Sequence, residues 1–121
     1  MLSQTEMTLL KQELSKYPDL CIEGFRYNPR DPIDWCTDPE FSTSRAELLT
    51  PWRIEGIEIT CAYLQCNSID KKQGSYGLKH EIERWNNHQL GIPNGCAILG
   101  AILSGYKIDP IKNNPNCKFK M

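Results

Sequence analysis

The sequence predicts a mainly α fold: a small single-domain helical bundle of about four helices, with an irregular acidic loop and room for one short strand or hairpin. The chain has 121 residues, the length of one domain that can bury a core of its own. Its residues are 40% hydrophobic and 24% charged, as expected of a soluble globular protein. Apolar residues recur at intervals of three and four, the period of a helix packed on a core. No apolar stretch approaches the ~20 residues that span a membrane.

The first predicted element is an N-terminal helix within residues 1–17. Ser3 and Glu6 have the spacing of a capping box, in which each side chain accepts a hydrogen bond from the other residue's backbone. The helix must end before Pro18, because the residue before a proline disfavours helical geometry. One apolar stripe at helical spacing follows the cap: Met7, Leu10, Leu14 and Tyr17.

Residues 18–42 form the predicted acidic, proline-rich loop. Their four prolines exclude a long regular helix. We expect an ordered surface segment in which residues 20–27 form a short strand or an extended arm. Its six acidic residues are Asp19, Glu23, Asp31, Asp34, Asp38 and Glu40.

Residues 43–106 are the predicted helical core, and its first half contains two start signals. Ser44 and Glu47 repeat the capping-box spacing and predict a short helical turn. Thr50 and Pro51 then predict an N-cap and a first helical residue. The following residues, 52–60, suit either a helix or a strand, and the helical alternative has the apolar stripe Trp52, Ile59, Tyr63 and Cys66.

The second half of this core predicts a helical hairpin. Leu78, Ile82 and Trp85 share one helix face. Asn94 is the predicted cap of a second helix, which is apolar all round and ends in a Schellman-type turn at Gly105. The remaining residues, 107–121, are predicted to form an extended basic tail.

The helical hairpin has the element order of a DNA-binding helix-turn-helix, but not its details. Seven or eight residues separate the two helices, where three or four are usual. A helix that reads a DNA groove needs polar side chains, and residues 96–103 have none. We therefore predict a plain helical hairpin that is only helix-turn-helix-like.

The six cysteines are interpreted as reduced, buried side chains rather than a disulfide framework. The chain begins with no export signal, which predicts a cytoplasmic protein. A metal site is not predicted, because Cys61 and Cys66 would point about 140° apart on a helix. His80 and His88 are eight residues apart, more than two helical turns, which is too far for one tetrahedral site. We predict no cofactor.

A thiol enzyme is the catalytic alternative. Cys96 lies in the first turn of the last predicted helix, where the helix dipole lowers the pKa of a thiol. His80 or His88 would be the base. A cysteine at the start of an apolar helix is more typical of a core, so we predict no catalytic residue.

Three short segments make up one pattern: S-Y-G-L-K-H-x-x-E (Ser75 to Glu83), N-G-x-x-I (Asn94 to Ile98) and the pair Gly105-Tyr106. In this pattern the chain resembles a set of short, uncharacterised bacterial proteins of mobile-element type. The resemblance covers about thirty residues. It implies a setting in phage or plasmid biology, where small proteins often act as regulators or as inhibitors of host nucleic-acid machines.

The charge is distributed unevenly along the chain. Residues 1–70 contain 6 Lys and Arg against 12 Asp and Glu, a net charge of −6, whereas residues 71–121 contain 8 against 3, a net charge of +5. Such asymmetry suggests a charged partner or two halves that pack on each other.

The basic half motivates our leading hypothesis, a non-enzymatic binding protein that contacts nucleic acid or an acidic partner surface. Its candidate residues are Lys71, Lys72, Lys79, Arg84, Lys107, Lys112, Lys118 and Lys120. The alternative is an inhibitor of a host nucleic-acid-handling defence complex, similar to anti-CRISPR proteins, whose acidic residues mimic phosphates. We expect no membrane partner and leave a homodimer open.

Overall fold

The computed structural model describes residues 2–26, 38–70, 72–112 and 114–120, which form five helices and two short antiparallel strand pairs. The predicted mainly α class is therefore confirmed. In chain order the elements are α1 (Gln4–Ser15), β1 (Leu20–Cys21), β2 (Gly24–Phe25), α2 (Asp38–Glu47), α3 (Pro51–Cys66), α4 (Ser75–Trp85), α5 (Asn94–Leu103), β3 (Lys107–Pro110) and β4 (Cys117–Lys120).

The capping box of α1 is confirmed. The backbone N–H of Glu6 donates to Ser3 Oγ, and that of Ser3 donates to Glu6 Oε1, both at 3.1 Å. Leu10 and Leu14 are buried, so the predicted stripe does face the core. Arg45 of α2 closes the other end of α1, because its guanidinium donates to the carbonyl oxygens of Leu14, Tyr17 and Leu20.

The predicted acidic loop contains more regular structure than expected. β1 and β2 form a small buried hairpin, with Leu20 opposite Phe25. α2 begins at Asp38, inside the range predicted to be irregular. The second capping box is wrong: Ser44 lies inside α2, and its Oγ accepts a hydrogen bond from the Ile22 N–H at 3.2 Å. Residues 27–37 lie outside the described residues.

Residues 52–60 are helical and belong to α3, with Thr50 and Pro51 in the predicted roles. The predicted apolar stripe is only half confirmed: Tyr63 is buried and Ile59 packs partly buried against the core, but Trp52 is 50% exposed and Cys66 is exposed. The buried face of α3 consists of Gly56, Ile57, Thr60 and Tyr63.

Small residues allow α3 and α5 to approach closely. A Cβ added at Gly100 of α5 would lie only 2.4 Å from the Thr60 Cγ2 atom. Gly56 likewise faces Cys96 of α5. The helix-helix contact therefore depends on the absence of a side chain at Gly100, whereas a Cβ at Gly56 would lie 3.7 Å from Cys96, an ordinary contact.

α5 is the centre of the core. Its residues from Asn94 to Ala101 are all buried, as the apolar pattern predicted. The Schellman ending is confirmed: Gly105 has a φ of +96°, and the N–H of Tyr106 donates to the Ala101 carbonyl at 3.0 Å. The N-cap is Pro93 rather than Asn94, whose side chain makes tertiary hydrogen bonds instead.

Residues 107–120 do not form the predicted tail. β3 and β4 pair in an antiparallel hairpin, with Lys107 opposite Lys120 and Ile108 opposite Phe119. Cys117 and Phe119 are buried, so alternation along β4 anchors one face of the hairpin in the core. Gly74 extends this pairing through a single bridge to Lys118.

None of the helices in the described ranges combines the length and the apolar character required to cross a membrane.

Candidate functional site

Three predicted basic residues lie on the outer face of the β3–β4 hairpin. Because side chains alternate along a strand, burial of Cys117 and Phe119 turns Lys118 and Lys120 outward. Lys107 pairs with Lys120 across the strands and is also exposed. Two ammonium groups therefore stand on directly opposed positions, an arrangement that costs stability in the absence of an anion.

A fourth lysine lies beside this hairpin. The bridge between Gly74 and Lys118 brings the loop before α4 against β4. This contact is close, since a Cβ at Gly74 would lie 3.2 Å from the carbonyl oxygen of Cys117. The N–H of Cys117 also donates to Ser75 Oγ at 3.0 Å. Lys72 is exposed two residues before Gly74, and its N–H donates to Asp70 Oδ1 at 3.1 Å. We group it with the three hairpin lysines and call the four residues the lysine face: Lys72, Lys107, Lys118 and Lys120.

The lysine face carries excess positive charge. Within the part of the chain that the structure describes, none of its four ammonium groups has a carboxylate oxygen within 4.0 Å. Asp109 stands opposite Lys118 in the strand register and is the acidic residue of the hairpin. Asp70, which accepts the Lys72 N–H, is the second neighbouring carboxylate. Four cations against two carboxylates still make this surface a physical candidate for binding polyanions.

The other predicted basic residues do not belong to the lysine face, because they are paired with glutamates or lie elsewhere. Lys79 forms an ion pair with Glu83 at 3.1 Å, and Arg84 forms one with Glu81. Lys112 lies between β3 and β4 and lines a separate cleft of about 540 Å³ with Lys16 and Arg26. Lys71 lies outside the described residues.

The predicted acidic residues do not form one surface in the described part of the chain. Asp38 forms an ion pair with Arg26 at 2.7 Å. Asp19 lines the cleft that contains Lys112, whereas Glu23 and Glu40 line another one beside α2. Asp31 and Asp34 lie outside the described residues.

The Cys96 thiol is a core group. It is fully buried, and burial raises its pKa to about 12 instead of the lowering that the helix dipole predicted. Burial likewise raises the pKa of Cys117 to about 12. The five described cysteines are free thiols, and the described residues contain no cluster of three or more His, Cys, Asp or Glu that could hold a metal ion. The thiol-enzyme alternative therefore lacks an activated nucleophile at Cys96.

Comparisons with protein-family models, curated proteins and solved structures found no match for this chain.

The motif residues that suggested a mobile-element protein have clear structural contacts. Glu83 Oε2 accepts a hydrogen bond from the Ile92 N–H at 3.1 Å, which ties the α4–α5 connection to α4. Burial alone would raise the pKa of Glu83, but bonds from Ile92 and Lys79 outweigh burial and hold that pKa below its ordinary value of 4.5. The Tyr106 hydroxyl accepts a hydrogen bond from the Ile69 N–H at 3.3 Å.

Asn94, another motif residue, joins three segments of the chain. Its Nδ2 group donates to the carbonyl oxygens of Glu23 and Pro115 and to Asn116 Oδ1, at 3.2, 3.3 and 2.9 Å. Its own Oδ1 is buried without a hydrogen-bond partner among the described residues. Neither the spacing nor the composition of the sequence could identify this contact, because its partners are 71, 21 and 22 residues away along the chain.

Proposed function

We propose that this chain is a non-enzymatic binding protein that contacts the phosphate backbone of nucleic acid through the lysine face. The single observation that supports the proposal is the presence of four exposed lysines on the β3–β4 hairpin and on the loop bridged to it, with no carboxylate oxygen of the described residues within 4.0 Å of their ammonium groups. Phosphates would relieve the repulsion between Lys107 and Lys120, which the fold places opposite each other.

The proposed contact is to phosphates and does not read base sequence. Lysine acts as a point charge on phosphate, whereas base recognition needs side chains that reach groove edges. The second helix of the helical hairpin, α5, is buried from Asn94 to Ala101 and offers no reading surface. The exposed large apolar side chains, Leu9, Trp52, Tyr76 and Trp85, are on other elements. We therefore expect weak, sequence-independent and salt-dependent binding.

Two features of the chain concern its biological setting and the inhibitor hypothesis. The resemblance to mobile-element proteins supports a role in phage or plasmid biology. The inhibitor hypothesis requires a continuous acidic surface, and among the described acidic residues Asp38 is already paired with Arg26. This pairing favours the basic surface over phosphate mimicry.

Salt dependence provides the direct test. Binding to a fluorescein-labelled 20-base-pair duplex is measured by anisotropy between about 50 and 200 mM salt. If four lysines each neutralise one phosphate, the slope of log K against log salt is about −3.6, and Lys118→Gln reduces its magnitude by about 1. Lys120→Gln should act in the same way.

Lys11 provides a matched control, because it is an exposed lysine on α1, far along the chain from the hairpin. Lys11→Gln removes the same charge and should leave the slope unchanged. Equal losses in Lys11→Gln and Lys118→Gln would show that only net charge matters. Absence of duplex and single-strand binding at 50 mM salt would reject the proposal and leave the inhibitor hypothesis as the alternative.

A further inference from the structure

A cleft of about 440 Å³ lies where the starts of α3, α4 and α5 approach the β1–β2 turn and the segment before β4. Its volume is within the range of small-molecule sites. Apolar walls come from Ile22, Pro93 and Pro115. The polar groups are the cations Arg53 and Lys79, the amides Asn94 and Asn116, and the carboxylate of Glu23 at the β1–β2 turn. No residue of the lysine face lines this cleft.

Arg53 is held rigidly at this cleft. Its guanidinium carbon lies 3.4 Å from the centroid of the Trp52 ring, and its Nε donates to Glu47 Oε2 at 3.1 Å. The side chain is only 18% exposed. Two contacts thus fix the position and the plane of the guanidinium before any ligand arrives, which limits the entropy lost on binding.

The outer edge of this guanidinium is available. Within the described residues, neither Nη atom of Arg53 has a hydrogen-bond acceptor, since its one side-chain bond uses Nε. A fixed pair of Nη groups matches the two oxygens of a phosphate or carboxylate. The mostly buried Arg53 side chain therefore has unused donors at a cleft that a small molecule can enter.

Lys79 and Tyr76 specify the ligand further. Lys79 supplies a second cation to the cleft, although Glu83 also binds it. Each cation already has one carboxylate partner, Glu47 for Arg53 and Glu83 for Lys79, so the paired Nη donors of Arg53 carry the recognition of a phosphate and Lys79 adds to it. Tyr76 is 57% exposed at the cleft, and its ring packs edge-on against His80. The exposed part of the ring and the proline walls offer apolar surface to a planar group.

We propose that this cleft binds a small molecule in which a planar ring is joined to a phosphate, with the phosphate on Arg53 and Lys79 and the ring against Tyr76. The site is independent of the lysine face, so each can fail without the other.

Adenosine monophosphate is a suitable probe for the test. Titration into ¹⁵N-labelled protein should give saturable shifts of the Arg53 Nε–H and the Trp52 indole N–H, with a Kd below about 1 mM. Adenosine alone and inorganic phosphate alone should each bind at least about tenfold more weakly, because each lacks half of the contacts.

Two variants test the assigned contacts. Arg53→Lys retains the charge but loses the paired Nη donors, and it should weaken binding about tenfold. Tyr76→Ala changes an exposed side chain, so folding is preserved. This variant should weaken the binding of adenosine monophosphate and leave the binding of inorganic phosphate unchanged. Arg84→Gln, an exposed change on the same helix, is the control and should bind like the parent.

The proposal is overturned if no saturable shift occurs up to about 10 mM probe, or if both Arg53→Lys and Tyr76→Ala bind like the parent. It is also overturned if Lys118→Gln abolishes the shifts, because the probe would then occupy the lysine face. Retention of adenosine monophosphate binding in Lys118→Gln, together with weakened duplex binding, would separate this site from the proposed function.

Discussion

Replacing Gly95 by alanine tests how closely α5 packs on the β1–β2 turn. A Cβ at this position would lie 2.1 Å from the Cys21 carbonyl oxygen, whereas ordinary contacts begin at 3.4 Å. The turn would therefore have to retreat by about 1.3 Å. Two hydrogen bonds cross this contact, from Gly95 N–H to the Ile22 carbonyl at 2.9 Å and from Asn94 Nδ2 to the Glu23 carbonyl at 3.2 Å. Both would be stretched or lost.

The expected cost follows from these contacts. Overpacking costs about 1–3 kcal/mol, and each lost hydrogen bond costs about 0.5–1.5 kcal/mol. The higher helix propensity of alanine offsets about 1 kcal/mol. We expect Gly95→Ala to lower the free energy of unfolding by about 2–4 kcal/mol, and Tm by roughly 8–15 °C.

Gly56 is the matched control, because it too is a buried glycine in a helix; it faces α5 from α3. A Cβ there would lie 3.7 Å from Cys96, an ordinary contact, so Gly56→Ala should raise stability by about 0.5–1 kcal/mol. Urea unfolding followed by circular dichroism measures both variants. The reasoning is refuted if Gly95→Ala is as stable as the parent, or if both substitutions change stability in the same direction.

Three further predictions concern the buried polar and thiol groups. Asn94→Ala removes three donated hydrogen bonds but also an unpartnered acceptor, so it should lower the free energy of unfolding in urea by about 1–3 kcal/mol. An unchanged free energy of unfolding would mean that the three contacts do not join the segments. The pKa of Glu83 is lowered in the folded protein, so its contribution is present at neutral pH and is lost as the pH falls below about 4.5. Glu83→Gln should therefore reduce stability at pH 7 and flatten its decline in acid, and parallel pH profiles of variant and parent would contradict this. At pH 8, iodoacetamide should label the exposed Cys66 much faster than Cys96, because burial raises the pKa of Cys96 to about 12. Mass spectrometry resolves the two sites. Equal labelling rates in the folded protein would show that Cys96 is accessible.

Local signals in the sequence predicted local structure well. The Ser3–Glu6 capping box, Pro51 at the start of α3 and Gly105 after α5 all mark the expected helix ends. Each of these signals acts within a few residues, so neighbouring sequence is sufficient to recognise it. The same local rule failed at Ser44, whose hydroxyl accepts its hydrogen bond from a distant strand turn instead of its own helix.

Tertiary contacts explain the remaining differences. The periodicity of α3 favoured its large apolar residues, but its buried face includes Gly56 and Thr60. α5 packs closely against this face, since a Cβ at Gly100 would lie 2.4 Å from Thr60 Cγ2. The last residues look polar and proline-broken, yet alternation at Cys117 and Phe119 is sufficient to bury one face of a hairpin.

The candidate site was predicted by composition more than by geometry. The sequence identified a basic C-terminal half, but it grouped Lys79 and Arg84 with lysines that the fold places on the hairpin. Ion pairing at helical spacing could have separated these two residues. The Arg53 cleft was not predicted, because its walls come from five separate segments of the chain.

The Asn94 contact also affects the order in which the protein can fold during synthesis. One amide group joins residue 23 to residue 115, so this junction cannot form until residue 115 has left the ribosome. Until then, the apolar surface of α5 lacks the hairpin that completes its surroundings. The N-terminal elements therefore lack these contacts until late in synthesis. Completion of the fold depends on contacts of long sequence separation, which form slowly.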